Sequence, residues 1–192
     1  MGLRGLIGIA LLAGVLLAAL QRPSIEAAAP PPLRDAAGCP HSGAVPTRSH
    51  IEQTRTAILC LLNKERARHG LPALTQNTVL ERASQLHSED MGRRNFFAHS
   101  NPEGADSGSR MELAGYPRVG TWLGENLYWG EETAGTPVRA VRGWMHSPGH
   151  RANILKPEFA EVGVGVAYDA PRPTSERRST VYTTDFGGLA QP

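Results

Sequence analysis

Ser147-Pro148-Gly149-His150-Arg151-Ala152-Asn153-Ile154-Leu155 marks the point where two kinds of secondary structure meet. Ser147 fits the N-cap of a helix, and Pro148 fits its first position, where a missing N–H costs nothing. Beyond Leu155 the hydrophobic period switches to two. Val162, Val164, Val166 and Tyr168 alternate with Gly163, Gly165 and Ala167, the signature of a strand with one buried face. Thr180 to Phe186 is a second β-prone run, and the polar stretch Asp169–Ser179 between them reads as a long hairpin loop.

Upstream the period is helical. Ser49 and Glu52 spell an S-x-x-E capping box ahead of Ile51, Ile58 and Leu62, and Gly70 supplies a stop after Arg68-His69. A second helix reads from Asn77 as N-cap through Val79, Leu80, Ala83, Leu86, His87 and Met91, ending near Arg93-Arg94-Asn95. Phe96 to Trp129 is rich in glycine and loops, with a short helix at Ser109–Ala114. Thr136-Pro137 opens a further helix that carries Val138, Val141 and Trp144 and runs to Ser147. Helices flanking a small antiparallel sheet make the chain α+β.

The N-terminus points to export. Leu6 to Leu20 is a nearly continuous apolar run behind Arg4. At about 15 residues it is short for a membrane span of about 20 and fits a secretory signal over residues 1–29, with Ala27-Ala28-Ala29 as the cleavage region. Retention as an N-terminal anchor is the other reading. Residues 30–48, rich in Pro and Ala, form an arm, and residues 49–190 form one domain, with no integral membrane segment once the signal is removed. In an oxidising compartment Cys39 and Cys60 are expected to pair; the alternative is a free, buried Cys60. The bridge would close a loop worth about 3 kcal/mol. With 20 basic and 18 acidic side chains and no basic stripe, the chain has no electrostatic footprint for nucleic acid.

Three segments place polar groups just past periodic elements: Asn95–Ser100 with His99, Gly124–Trp129 with Glu125, and the stretch around His150. Two histidines and a carboxylate are a common zinc recipe, yet each residue alone reads more simply as structural. His150 would sit in a helical first turn, where the dipole disfavours its protonation.

Taken in order, several motifs resemble one family. They are Leu62-Asn63-x-Glu65-Arg66 with Gly70-Leu71-x-x-Leu74, Phe97-x-His99, Gly124-Glu125-Asn126-Leu127, Trp144 through Leu155, and Glu161-Val162-Gly163-Val164-Gly165-Val166. The chain resembles, from about Ile58 to Gly187, the bacterial branch of the CAP superfamily, also called the SCP domain. The resemblance implies an α-β-α sandwich with a three-stranded antiparallel sheet, one strand of it near Glu125–Trp129. It implies a cleft lined by two histidines and two glutamates, and in some members a divalent metal, often zinc, held by the histidines. By motif, His99, Glu125 and His150 take three of those positions, so His99 and His150 are the candidate metal ligands. Ser147 stands where the family has its second glutamate, which leaves the cleft one charge lighter; Glu161 is a candidate replacement.

The family implies a secreted, extracellular or envelope-associated binding module for lipids or cell-envelope components. No complete catalytic set is evident. Two alternatives use the same residues. One is a hydrolase, with a zinc-bound water and Glu125 as base, or with Ser147 as nucleophile and His150 as base. The other is a purely structural network of His99, Glu125 and His150. The triad suffers because an N-cap serine points its oxygen at its own helix. Of the remaining histidines, His146 is expected in solvent, and His87 half-buried and satisfied on its helix.

Overall fold

The computed structural model describes residues 36, 38–168 and 178–189. The expected signal segment, the start of the arm and most of the hairpin loop lie outside these residues. The first helix, α1 (Ile51–Arg68), is entered through a 3-10 turn at Arg48–His50 rather than through the expected capping box. Ser49 Oγ pairs with Thr47 Oγ1 at 3.0 Å and Glu52 with Arg55 at 2.6 Å, so neither is left to cap. The extra turn moves the helix start past Ser49. At the other end Gly70 takes φ +71, and Leu71 N donates to Arg66 O, closing the helix as its glycine predicts.

A two-residue strand, β1 (Thr75–Gln76), leads to α2 (Thr78–Arg94), whose N-cap Asn77 accepts from the N–H groups of Val79 and Leu80. Then come α3 (Ser107–Ala114), β2 (Thr121–Glu131), α4 (Pro137–Met145), α5 (Pro148–Ile154), β3 (Glu161–Tyr168) and β4 (Ser179–Leu189). The sheet order is β1-β3-β4-β2, with β1 parallel to β3 and the rest antiparallel. The expected three strands are present. The fourth, β1, is too short to leave a periodic trace in the sequence.

The sheet has helices on both faces, an α-β-α sandwich. On one face Val162, Val164, Val166, Tyr182 and Phe186 pack with Ile58 and Leu62 of α1, Val141 and Trp144 of α4, and Ile154 of α5. On the other, α2 lies directly on β3. A Cβ at Gly163 would stand 2.1 Å from the Leu80 carbonyl carbon, and one at Gly165 2.1 Å from the Ser84 carbonyl oxygen. The valine–glycine alternation therefore serves two surfaces: side chains for one layer and bare backbone for the other.

Two further ties set helix positions. Arg66, fully buried, donates to Pro72 O, Ile154 O, Lys156 O and Phe159 O, all at 2.8–2.9 Å. Cys39 and Cys60 form a disulfide with Cα atoms 5.7 Å apart. Residues 39–42 are thereby held against the body, with Cys39 and Ser42 buried and Val138 N donating to Ser42 O. This part of the arm is packed structure rather than free linker.

Gly165→Ala should lower unfolding stability by about 3 kcal/mol, because the methyl meets backbone that cannot rotate away. An unchanged urea midpoint would mean that α2 does not rest on β3. Cys39→Ser paired with Cys60→Ser should cost about 3 kcal/mol, seen in the same denaturation curves.

Candidate functional site

β2 is an edge strand, and Gly124-Glu125-Asn126 sits where both faces of the sheet are reachable from that edge. Gly124 has no room for a side chain: a Cβ there would lie 2.7 Å from the Phe159 ring and 3.2 Å from Asn153 Oδ1. Glu125 points to the α2 and α3 face, and its side chain is only 2 % exposed. Its two oxygens are both engaged. His99 Nδ1 donates to Oε1 at 2.7 Å, and Arg110 Nη2 donates to Oε2 at 2.6 Å. Arg110, from α3, also donates Nη1 to His99 O at 2.7 Å and Ala105 O at 2.9 Å. One guanidinium thus fixes both the carboxylate and the loop that carries the imidazole.

His99 is 58 % exposed at its side chain, and its Nδ1 is committed to Glu125, which leaves Nε2 as the outward nitrogen. The hydrogen bond that His99 donates to the carboxylate raises its pKa, opposed by partial desolvation and by the charge of Arg110. His150 shifts the other way: burial lowers its pKa, and the charge of His99 lowers it further. The two rings therefore lie within electrostatic reach, although they come from opposite layers of the sandwich.

Two asparagines fix the helix that carries His150 to the edge strand. Asn126 Nδ2 donates to His150 O at 3.0 Å, and Asn153 Nδ2 donates to Glu125 O at 3.1 Å and to Asn126 Oδ1 at 2.9 Å. They clamp the first turn of α5 to the backbone of the edge strand. Ser147 occupies the N-cap position of α5, but its hydroxyl makes no cap hydrogen bond, contrary to expectation. Among the described residues no hydrogen bond joins that hydroxyl to His150. Glu161 is drawn away from the cleft, accepting from Asn77 Nδ2 at 2.9 Å and Tyr116 Oη at 2.7 Å. His146 is exposed. His87 is fully buried rather than half-buried: one ring nitrogen, Nε2, pairs with Ala98 O, and Nδ1 has no partner among the described residues.

Two functional groups escaped the sequence reading. Arg110 lies in a short helix without a motif around it. Asp185, fully buried, carried a readable signal: an acid inside the β-prone run Thr180–Phe186. Among the described residues no group of three or more His, Cys, Asp and Glu is arranged to hold a metal ion. With each Glu125 oxygen turned to a protein donor, the nitrogens left to a ligand are His99 Nε2 and those of His150.

The elevated pKa of His99 has a signed consequence. The stabilisation from its pairing with Glu125 is fully present below the ordinary histidine value of 6.5 and is lost as pH rises through the elevated one. Because the ring is exposed, the effect is small. A pH series of urea midpoints should fall more steeply over that window in the wild type than in His99→Gln; equal slopes would remove the charged pairing.

The sequence model of the cysteine-rich secretory protein family (CAP) matches residues 59–186. The chain is 33 % identical over 117 residues to the uncharacterized protein YkwD of Bacillus subtilis, covering 61 % of this chain and 44 % of YkwD. It is 32 % identical over 111 residues to the uncharacterized membrane protein YlbC of the same organism, covering 57 % of this chain and 30 % of YlbC. It thus spans less than half the length of either relative. An extracellular Bacillus anthracis protein containing an SCP domain superposes with a TM-score of 0.59 at 27 % identity, over 76 % of this chain and 44 % of that one. An outer surface protein of Borrelia burgdorferi shares the fold, with a TM-score of 0.59 at 17 % identity over 76 % of this chain and 96 % of that one.

Proposed function

The chain belongs to the cysteine-rich secretory protein (CAP) family, and from that premise we propose that it is an exported binding module whose cleft takes a lipid or cell-envelope ligand. One observation carries the preference for binding over hydrolysis: both oxygens of Glu125 are committed, to His99 and to Arg110. A general base needs an oxygen within hydrogen-bond reach of the proton it takes, and both of these are turned to His99 and Arg110. Glu125 also orients His99, not His150, so a Ser147–His150 pair has no acid behind it. Export is supported by the disulfide and by the apolar N-terminal run, and it agrees with the extracellular and outer-surface proteins that share the fold. Among the described residues no helix is long and apolar enough to cross a membrane.

The donor set fits a weakly held divalent metal. An imidazole bonded through Nδ1 to a carboxylate offers Nε2 as an oriented and more basic ligand, an arrangement common at zinc. His150 is kept neutral by burial and by its neighbour, as a ligand must be. Two nitrogens leave the remaining positions to water or to a ligand, for which the ion would act as a Lewis acid. Glu125, Arg110 and the two asparagines hold the imidazoles in place.

Zinc added to the purified protein should raise its melting temperature, and His99→Ala together with His150→Ala should abolish that rise. An equal rise in the double variant would sink the metal assignment. Extraction of envelope lipids onto the immobilised domain, with and without zinc, tests the ligand class; retention of nothing in either condition would overturn the binding reading.

A further inference from the structure

Directly across from Glu125 on the neighbouring strand stands a second acid. The β2–β4 register pairs Glu125 with Asp185, so both side chains leave the same face of the sheet. Asp185 has no exposed surface, and Glu125 almost none. The groups facing Asp185 are Ser84 from α2, Glu125 from β2 and Arg110 from α3; β3 contributes Gly163, which has no side chain. Ser84 Oγ lies 3.0 Å from Asp185 Oδ2, while Asp185 Oδ1 has no donor among the described residues.

Two ionised carboxylates side by side in a dry layer repel, and each isolated charge is expensive to bury. Arg110 does not resolve this for both, since its Nη2 is aimed at Glu125 and its Nη1 at two carbonyls. One proton resolves it. On Oδ1 it converts an orphaned acceptor into a donor, removes one of the two charges and leaves Oδ2 to accept from Ser84. Glu125 has lone pairs to spare, because each of its oxygens takes only one hydrogen bond from His99 or Arg110.

We propose that Asp185 is a neutral carboxylic acid whose Oδ1–H donates to Glu125, and that it is the positioning residue that fixes Glu125 against His99 and Arg110. Burial and the charge of Glu125 both push the Asp185 pKa well above the usual carboxylate range, in the same direction as the geometry. A second acid therefore does accompany Glu125 in a chain that lacks one at Ser147, but it stands behind the cleft and not in it. The inference does not depend on whether the cleft binds lipid or metal.

Infrared spectroscopy of the intact protein at neutral pH reads the state directly. The wild type should show the carbonyl stretch of a protonated carboxyl, and Asp185→Asn should lose it. The amide of Asp185→Asn can still donate to Glu125 and accept from Ser84. An acid with a raised folded pKa contributes stability that is complete below its ordinary value of 3.8 and is lost as pH rises through the folded value. Asp185→Asn should therefore flatten that decline and be at least as stable as the wild type at pH 8. Absence of the band in the wild type, or its persistence in Asp185→Asn, would overturn the proposal. Isotopic labelling of aspartate carboxyls in the wild type, which should shift the band, decides it even where Asp185→Asn fails to fold; a band that does not move would overturn the proposal.

Discussion

The closeness of α2 to the sheet is the constraint on which the rest of the structure depends. Glycine at 163 and 165 lets helix backbone and strand backbone meet without side chains between them. At that separation Ser84 Oγ reaches both Gly163 O and Asp185, and Ser88 Oγ reaches Thr183 Oγ1 at 2.8 Å. A larger residue on β3 would lift the helix, admit water to Asp185 and remove the reason for it to hold a proton. The polar layer beneath Glu125 is closed to bulk solvent, and the two glycines let the helix close it.

The opposite layer is organised by a charge. Arg66 spends four hydrogen bonds on carbonyls belonging to the loop after α1, the end of α5 and the approach to β3. Helix C-termini leave unpaired carbonyls, and a seven-residue helix has few contacts with which to offset them. A buried guanidinium satisfies that end of α5, while Asn126 holds its first turn through His150 O. The helix that carries His150 is thus fixed at both ends from outside itself.

These two layers meet at the free edge of β2, which explains how residues from opposite sides of a sheet approach one another. Glu125 leaves the strand toward α3, and Asn126 leaves it toward α5. Consecutive residues on one strand therefore address the two helical layers. The imidazoles end up with opposite electrostatic settings, His99 favoured in its charged form and His150 in its neutral one. That asymmetry arises because the carboxylate bonds to His99, while burial acts against the charge on His150.

Helix and strand identity was legible wherever periodicity ran for several residues, as in α2 and β3, because burial of one face imposes a repeat on the side chains. The pairing of His99 with Glu125 was foreshadowed by motif order, not by any spacing in the chain. Local chemistry misled at two helix starts: Ser49 and Ser147 are sound caps by composition, yet neither hydroxyl caps its helix, since capping depends on where the preceding residues enter. By itself the amino-acid order determined which segments are amphipathic, where the glycines fall along β3 and which cysteines could pair. Only the tertiary structure decided that Arg110 pairs with Glu125 and that Asp185 stands across from it, because such partners are set by strand register and helix docking, and neither leaves a local trace.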